Sequence, residues 1–76
     1  MGKLVSAKEI TTKFNLAYHT INYYTTIGLF TVAKKNGSAR LYDEAVISDR
    51  LKKIQAMMLE GYTLRLIRKK LEEGKG

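Results

Sequence analysis

A short break at residues 14–17 separates two helical patterns near the start of the chain, and it limits the folds that are open to this sequence. Before the break, Ser6 and Glu9 have the spacing of a capping box, which predicts a first helix over about residues 7–13. Asn15 tolerates the left-handed backbone conformation better than any residue except glycine, so it is the expected pivot. Two short helices joined by such a turn form a helix-turn-helix.

The second helix, predicted over residues 18–26 and closed by Gly28, has an unusual outer face. Ile21 and Tyr24 lie three residues apart, so they share its inner face. The outer face carries hydrogen-bonding and stacking side chains: Tyr18, His19, Asn22 and Tyr23. The helix contains neither Lys nor Glu, although a solvated helix face normally mixes them. In a basic chain this pattern indicates a negatively charged partner with hydrogen-bonding edges, and DNA fits that description.

A basic hairpin is predicted next, over about residues 31–42. The segment 29–33 is apolar and β-prone, Asn36-Gly37 favours a tight hairpin turn, and Leu41-Tyr42 supplies the return strand. The hairpin also carries three cations: Lys34, Lys35 and Arg40. Beside a carboxylate-free helix, these cations exceed what solubility requires. We interpret the hairpin as a wing, and the alternative is an ordinary solvated hairpin tip.

Two further helices are predicted over residues 44–60 and 64–73, with Asp43 and Thr63 as their N-caps. The third helix has an apolar stripe at helical spacing: Ile47, Leu51, Ile54 and Met58. The fourth helix has an apolar face and four cations elsewhere: Arg65, Arg68, Lys69 and Lys70. We interpret these cations mainly as a solvated face, with contact to a nucleic-acid backbone as the alternative.

The predicted fold is therefore mainly α, a single winged helix-turn-helix domain over residues 1–76 with about four helices and a small two-stranded β-hairpin wing. The net charge is +7, from 14 basic and 7 acidic residues. This favours a polyanionic partner, nucleic acid ahead of an anionic membrane surface. The chain has no Cys and one His, which excludes disulfides, Cys-based zinc sites and His-rich metal sites.

The hydropathy pattern predicts where the protein acts. No apolar run approaches the roughly 18 residues that a membrane span needs, and no signal peptide is visible. We therefore expect a cytoplasmic, nucleoid-associated protein without a membrane partner. No cofactor, metal or small-molecule ligand is expected.

Three motifs, in the right order and spacing, resemble the N-terminal DNA-binding domain of MerR-type transcriptional regulators, the mercury-resistance-regulator family. They are Tyr23-Tyr24 with Ile27-Gly28-Leu29, Asn36-Gly37 with Arg40-Leu41-Tyr42, and Gly61-Tyr62-Thr63-Leu64 with Ile67. The resemblance covers about Val5 to Glu73. It implies a winged helix-turn-helix whose second helix enters the major groove, while the wing follows the backbone and touches the minor groove.

The sequence also departs from the family pattern. Asn22 stands where the family usually has Arg, Thr25 stands where it has an acid, and Ala17 replaces the usual Ser or Thr cap. The Pro residues common before the wing are missing, and the sequence contains neither the long dimerising coiled-coil helix nor an effector domain. We therefore do not expect this sequence to share the family's ligand or metal sensing, or its dimerisation through that coil.

The predicted DNA contacts combine the residue pattern with the resemblance. The candidate base contacts are Tyr18, His19, Asn22 and Tyr23. The candidate backbone and wing contacts are Thr20, Lys34, Lys35, Arg40 and Tyr42. Asn22 can pair bidentately with adenine, whereas arginine suits guanine. Tyr23 and Tyr42 resemble family tyrosines that hydrogen-bond DNA, but Tyr42 has packing against the third helix as its alternative.

The leading prediction is a small transcriptional regulator that binds double-stranded DNA. The alternatives are an excisionase-like recombination factor that bends DNA and a winged-helix adaptor for protein interaction. An enzyme is disfavoured, because the sequence has no nucleophile–base pair, Gly-rich phosphate loop or metal-ligand cluster. One domain of this size contacts only a few base pairs. We therefore expect either that the protein self-associates on DNA or that the chain is the DNA-binding domain of a longer regulator.

Overall fold

The computed structural model describes residues 3–73, which form four helices and a three-stranded antiparallel sheet. The helices are α1 (Ala7–Phe14), α2 (Tyr18–Thr26), α3 (Glu44–Leu59) and α4 (Leu64–Glu73). The strands are β1 (Leu4–Ser6), β2 (Lys34–Asn36) and β3 (Ala39–Asp43). The predicted mainly α, winged helix-turn-helix class is confirmed. The limits of α2 and α4 match the prediction, whereas α1 and α3 differ from it by one residue.

The helix boundaries follow from local capping. The Ser6 N–H donates to Oε1 of Glu9 (2.9 Å), and the Glu9 N–H donates to Oγ of Ser6 (3.2 Å), so the predicted capping box is present. Asn15 adopts the left-handed conformation (φ 55°, ψ 47°) and turns the chain from α1 into α2. Oδ1 of Asp43 accepts from the first amides of α3, and the Thr63 hydroxyl accepts from an amide of α4.

The sheet has one strand more than the predicted two-stranded hairpin. β3 is the central strand, with β2 on one side and β1 on the other. Val5 of β1 pairs with Tyr42 of β3, so the residues that precede α1 are part of the sheet. We use "wing" below for the β2–β3 hairpin alone.

The segment 29–33 is not a strand, contrary to the prediction. The N–H groups of Leu29 and Phe30 both donate to the carbonyl of Tyr24, at 2.8 and 3.2 Å. These bonds turn the chain sharply at the end of α2 and direct both side chains into the core, where they are fully buried. The apolar character of Leu29 and Phe30 therefore reflects burial, and the segment joins the sheet only at its end, where the Ala33 N–H donates to the Leu41 carbonyl at 2.8 Å.

The hairpin turn is also shifted by one residue from the prediction. Asn36 still pairs with Ala39, so the two loop residues are Gly37 and Ser38. Gly37 has a φ of +65°, and Asn15 is the one non-glycine residue with positive φ in the described part of the chain. A two-residue loop with positive φ at its first position alone is typical of a type II′ turn, which favours glycine there.

The core receives side chains from every element except β2. Its buried members are Val5, Ile10, Ile21, Leu29, Phe30, Tyr42, Ile47, Leu51, Ile54, Ile67 and Leu71. Tyr24 is half-buried and packs edge-on against Phe30, with ring centroids 5.3 Å apart. The predicted apolar stripe of α3 is wrong at its last residue. Met58 is 47% exposed, and Met57 packs against the core instead. Within residues 3–73, no helix has both the length and the apolarity that crossing a membrane requires.

Candidate nucleic-acid interface

An open cleft of about 500 Å³ lies between α2, the wing and the start of α1, where Ser6, Ala7 and Lys8 line it, and we call it the wing cleft. Tyr18, Asn22 and Thr26 line it from α2, because residues four apart lie on one helix face. Ser38 and Arg40 line it from the wing. The predicted base contact Asn22 and the predicted wing cation Arg40 therefore face the same cleft. Among the described residues that line this cleft, none is acidic.

The other predicted contacts on α2 lie outside the wing cleft. His19 and Tyr23 are exposed, the latter by 52%, whereas Thr20 is half-buried. Tyr18, inside the cleft, is 60% exposed. The helix thus presents two tyrosines, a histidine and an amide to the surroundings, with no charged side chain of its own among them. Such side chains offer hydrogen bonds and stacking surfaces rather than an apolar docking face.

The wing places two cations side by side. Lys35 of β2 is paired with Arg40 of β3, and residues opposite each other in an antiparallel ladder project from the same face. Like charges in this position disfavour the hairpin unless an anion neutralises them. Lys34 is paired with Leu41 and projects from the other face. The wing therefore has a concentrated positive site at Lys35 and Arg40, with Lys34 on the opposite face.

Tyr42 is a correction to the predicted contact set. Its side chain is 0% exposed, and its ring packs edge-on against Phe30, with centroids 6.5 Å apart. The Tyr42 hydroxyl lies 2.9 Å from Oγ1 of Thr25 on α2. Thr25 and Phe30 therefore cover Tyr42 from two sides, and the buried ring forms part of the inner wall of the wing cleft. Tyr42 is therefore not available to a phosphate, and it does not belong to the proposed DNA surface.

A second cleft, of about 360 Å³, lies on another side of α2, and the sequence interpretation did not anticipate it. Tyr23 and Thr26 of α2 line it together with Ile27, and Arg65 and Arg68 complete it from α4. We call it the arginine cleft. The two arginines are three residues apart and share one face of α4, which is a usable sequence signal. The sequence does not show, however, that α4 packs so that this face lies beside α2.

Arg68 has the closest relation to the end of α2. Its Nη2 lies 3.1 Å from Oε2 of Glu72, in an exposed pair one turn apart, which contributes little to stability. Its Nε lies beside Gly28, just beyond the last turn of α2. That last turn has no basic residue of its own. A helix C-terminus carries partial negative charge, so Arg68 supplies a complementary cation from a neighbouring helix.

Four of the acidic side chains are engaged away from the two clefts, whereas Glu72 pairs with Arg68 at the edge of the arginine cleft. Glu9 and Asp43 cap α1 and α3. Glu44 pairs with Lys13 at 2.8 Å, and Asp49 pairs with Lys53 at 3.1 Å. The positive charge of the wing cleft is therefore not offset by these carboxylates, and in the arginine cleft Glu72 offsets part of the charge of Arg68. Across residues 3–73, no three His, Cys, Asp or Glu side chains come together in a way that could hold a metal ion.

Comparison with known proteins agrees with this geometry. Residues 5–74 match the family model described as MerR HTH family regulatory protein, which is nearly the whole chain. Comparisons with curated proteins and with solved structures gave no significant match. The family match covers α1, α2, the wing, α3 and α4, the elements that build both clefts. The chain therefore belongs to the MerR helix-turn-helix family of DNA-binding transcriptional regulators.

Proposed function

We propose that this protein binds double-stranded DNA with sequence specificity, with α2 in the major groove and the wing over the adjacent backbone and minor groove. The observation that carries the proposal is the wing cleft, in which Asn22 of α2 and Arg40 of the wing face the same space. An α-helix fits the major groove of B-DNA, and a cationic hairpin beside it can reach the flanking phosphates.

In this proposal α2 makes the base contacts. The Asn22 amide can accept from N6 and donate to N7 of one adenine, which is a bidentate and therefore discriminating contact. Tyr18 offers an exposed ring for a sugar or a thymine methyl group, and its hydroxyl can reach a phosphate. His19 and Tyr23 supply further hydrogen bonds from the exposed face, while Thr20 contributes to the backbone contacts.

The cations on either side of α2 hold the helix against the backbone. Lys35 and Arg40 lie together on one face of the wing, where a phosphate would relieve their mutual repulsion. Lys34 adds charge from the other face of the hairpin. On another side of α2, Arg65 and Arg68 line the arginine cleft and give a second set of phosphate donors. The helix would thus be held from two directions.

Two or more copies are proposed to assemble on one DNA site. A single domain contacts only a few base pairs, so useful discrimination needs more than one recognition helix. Sedimentation of the protein alone, and then with duplexes that carry one or two half-sites, measures the stoichiometry. Cooperative assembly predicts a two-copy complex on the longer duplex at concentrations where the single site is partly free. A one-to-one complex on every duplex would contradict it.

The decisive experiment measures DNA affinity as a function of salt, after the preferred sequence has been selected from a random duplex library. If four or five of the named cations neutralise phosphates, the slope of log K against log salt should be about −4 per protein. Lys35→Ala should reduce the magnitude of that slope by about 1. Lys53→Ala is the charge-matched control, because Lys53 is paired with Asp49 on α3 and lines neither cleft. A slope near zero, or equal effects of the two variants, would overturn the proposal.

A further inference from the structure

Three residues form a hydrogen-bonded chain that leads from Tyr42, which lines the wing cleft, to the backbone of α2. Oγ1 of Thr25 lies 2.8 Å from the carbonyl oxygen of Ile21 and 2.9 Å from the hydroxyl oxygen of Tyr42. A carbonyl cannot donate and a threonine hydroxyl carries one hydrogen, so the Thr25 hydrogen is directed to Ile21. The Tyr42 hydroxyl must then be the donor to Thr25. The chain has a fixed direction, from Tyr42 through Thr25 to the backbone of α2.

This chain connects the two elements that carry the proposed contacts. On β3, Arg40 projects from the same face as Tyr42, because side chains two residues apart lie on one side of a strand. On α2, Asn22 follows Ile21 directly and lines the same cleft as Arg40. The hydrogen bond between Thr25 and Tyr42 therefore joins the two elements from which Asn22 and Arg40 line the cleft.

We propose that Tyr42 and Thr25 are positioning residues, which set the distance and angle between α2 and the wing so that base and backbone contacts form in one register. Apolar packing around Tyr42 is non-directional, whereas hydrogen bonds between hydroxyls have preferred distances and angles. Thr25 therefore holds the Tyr42 hydroxyl inside the protein.

The proposal concerns specificity, and its DNA readout rests on the proposed function. Tyr42→Phe removes one hydroxyl and keeps the ring in the core, and Thr25→Val removes the other at nearly constant shape. Each should lower affinity for the selected sequence by about 5-fold while leaving affinity for random duplex at low salt within about 2-fold. The double variant should lose no more than either single variant, because the two side chains act through one interaction. Thr25→Ser keeps the hydroxyl and should restore parent affinity.

A control separates positioning from simple loss of stability. Ile54→Val removes one buried methylene from α3, outside both clefts, and lowers stability without touching the hydroxyls. It should leave the ratio of specific to random affinity unchanged. If Tyr42→Phe also leaves that ratio unchanged, or lowers both affinities equally, Tyr42 and Thr25 serve only the core and the proposal is overturned.

A second readout does not need DNA. Residual dipolar couplings of backbone N–H groups in the free protein report the orientation of α2 relative to β2 and β3. The proposal predicts that this relative orientation changes or becomes averaged in Tyr42→Phe and Thr25→Val, and that it is retained in Thr25→Ser and Ile54→Val. Unchanged couplings in the first two variants would overturn it. If the parent itself shows no sequence preference, the proposed function fails, and the couplings still decide the positioning role.

Discussion

Arg68 of α4 lies across the end of α2, with its Nε 2.9 Å from the position that a Cβ on Gly28 would occupy. Gly28 also has a φ of +91°, a backbone conformation that residues with side chains rarely adopt. Glycine therefore meets two requirements here, since it allows the turn after the recognition helix and leaves room for the guanidinium. The end of α2 and the position of Arg68 are consequently linked.

Gly28→Ala should lower the free energy of unfolding slightly more than Gly61→Ala does, because the half-exposed Arg68 side chain must move aside. Gly61 has a nearly identical φ of +94°, but a Cβ added there would meet nothing within 4 Å, so its substitution measures the backbone strain alone. We expect that strain to cost about 1–2 kcal/mol. The additional loss at Gly28, measured by urea unfolding, reports the displacement of Arg68. Adding Arg68→Ala to both variants should remove the difference, and equal losses in the two single variants would contradict the close approach.

Asn22→Ala should lower discrimination between DNA sequences more than overall affinity. Loss of a bidentate amide–adenine contact is expected to cost about 1–3 kcal/mol at one base step, with little change at the others. Asn22→Arg should move the preference at that step from adenine toward guanine. Binding-site selection with the parent and both variants measures this directly. A consensus for Asn22→Arg identical to that of the parent would exclude base contact by this residue.

Arg40→Ala should weaken binding to all duplexes by a similar factor, since phosphate contacts carry no direct sequence information. The salt slope should fall in magnitude by about 1. In the free protein the same substitution removes the repulsion with Lys35, so the hairpin should become slightly more stable. Amide exchange in the wing tests the second expectation. Faster exchange in Arg40→Ala than in the parent would show that the two cations do not repel.

Glu9 should contribute a pH-dependent part of the stability. The hydrogen bond from the Ser6 backbone N–H, assisted by the Ser6 hydroxyl and Lys3, lowers the pKa of its carboxyl below the ordinary value of a glutamate. The unfolded chain then binds a proton at higher pH than the folded chain does. The stabilisation is present above the unfolded pKa and is lost as the pH falls through the folded pKa.

Glu9→Gln is the variant that isolates this contribution. Glutamine keeps an acceptor for the capping box but does not titrate. Urea unfolding at a series of pH values from about 6 down to about 3 should therefore give a flatter stability curve for Glu9→Gln than for the parent. The two curves should differ in slope only below the unfolded pKa. Parallel curves over the whole pH range would show that the pKa of Glu9 does not change on folding.

Local signals account for the parts of the fold that the sequence predicts well. The capping box of Ser6 and Glu9, the left-handed Asn15 and the cap at Asp43 each depend on residues within a few positions along the chain. Such interactions can be recognised without knowing what lies nearby in space. The exposed face of α2 was predictable for the same reason, because helical spacing determines which side chains lie opposite Ile21.

Interactions between distant segments account for what was missed. β1 is too short to give a pattern of its own, and it exists because Val5 pairs with Tyr42 far along the chain. Alternation along β3 cannot tell whether Tyr42 faces solvent or α2, so its burial and its bond to Thr25 were not predictable. The arginine cleft depends on how α4 packs against α2. At the end of α3, spacing alone could not decide between Met57 and Met58.

The outer edge of the wing has a consequence for the molecule when it is not on DNA. Within residues 3–73, β2 has a partner strand on one side only, and its three residues are all exposed. An open strand edge can recruit another chain, and lysines at such an edge discourage this by charge. Lys34 and Lys35 would therefore keep free molecules apart in solution. Phosphate neutralisation would remove that protection where copies are proposed to lie side by side, so the DNA itself would determine when two wings can approach each other.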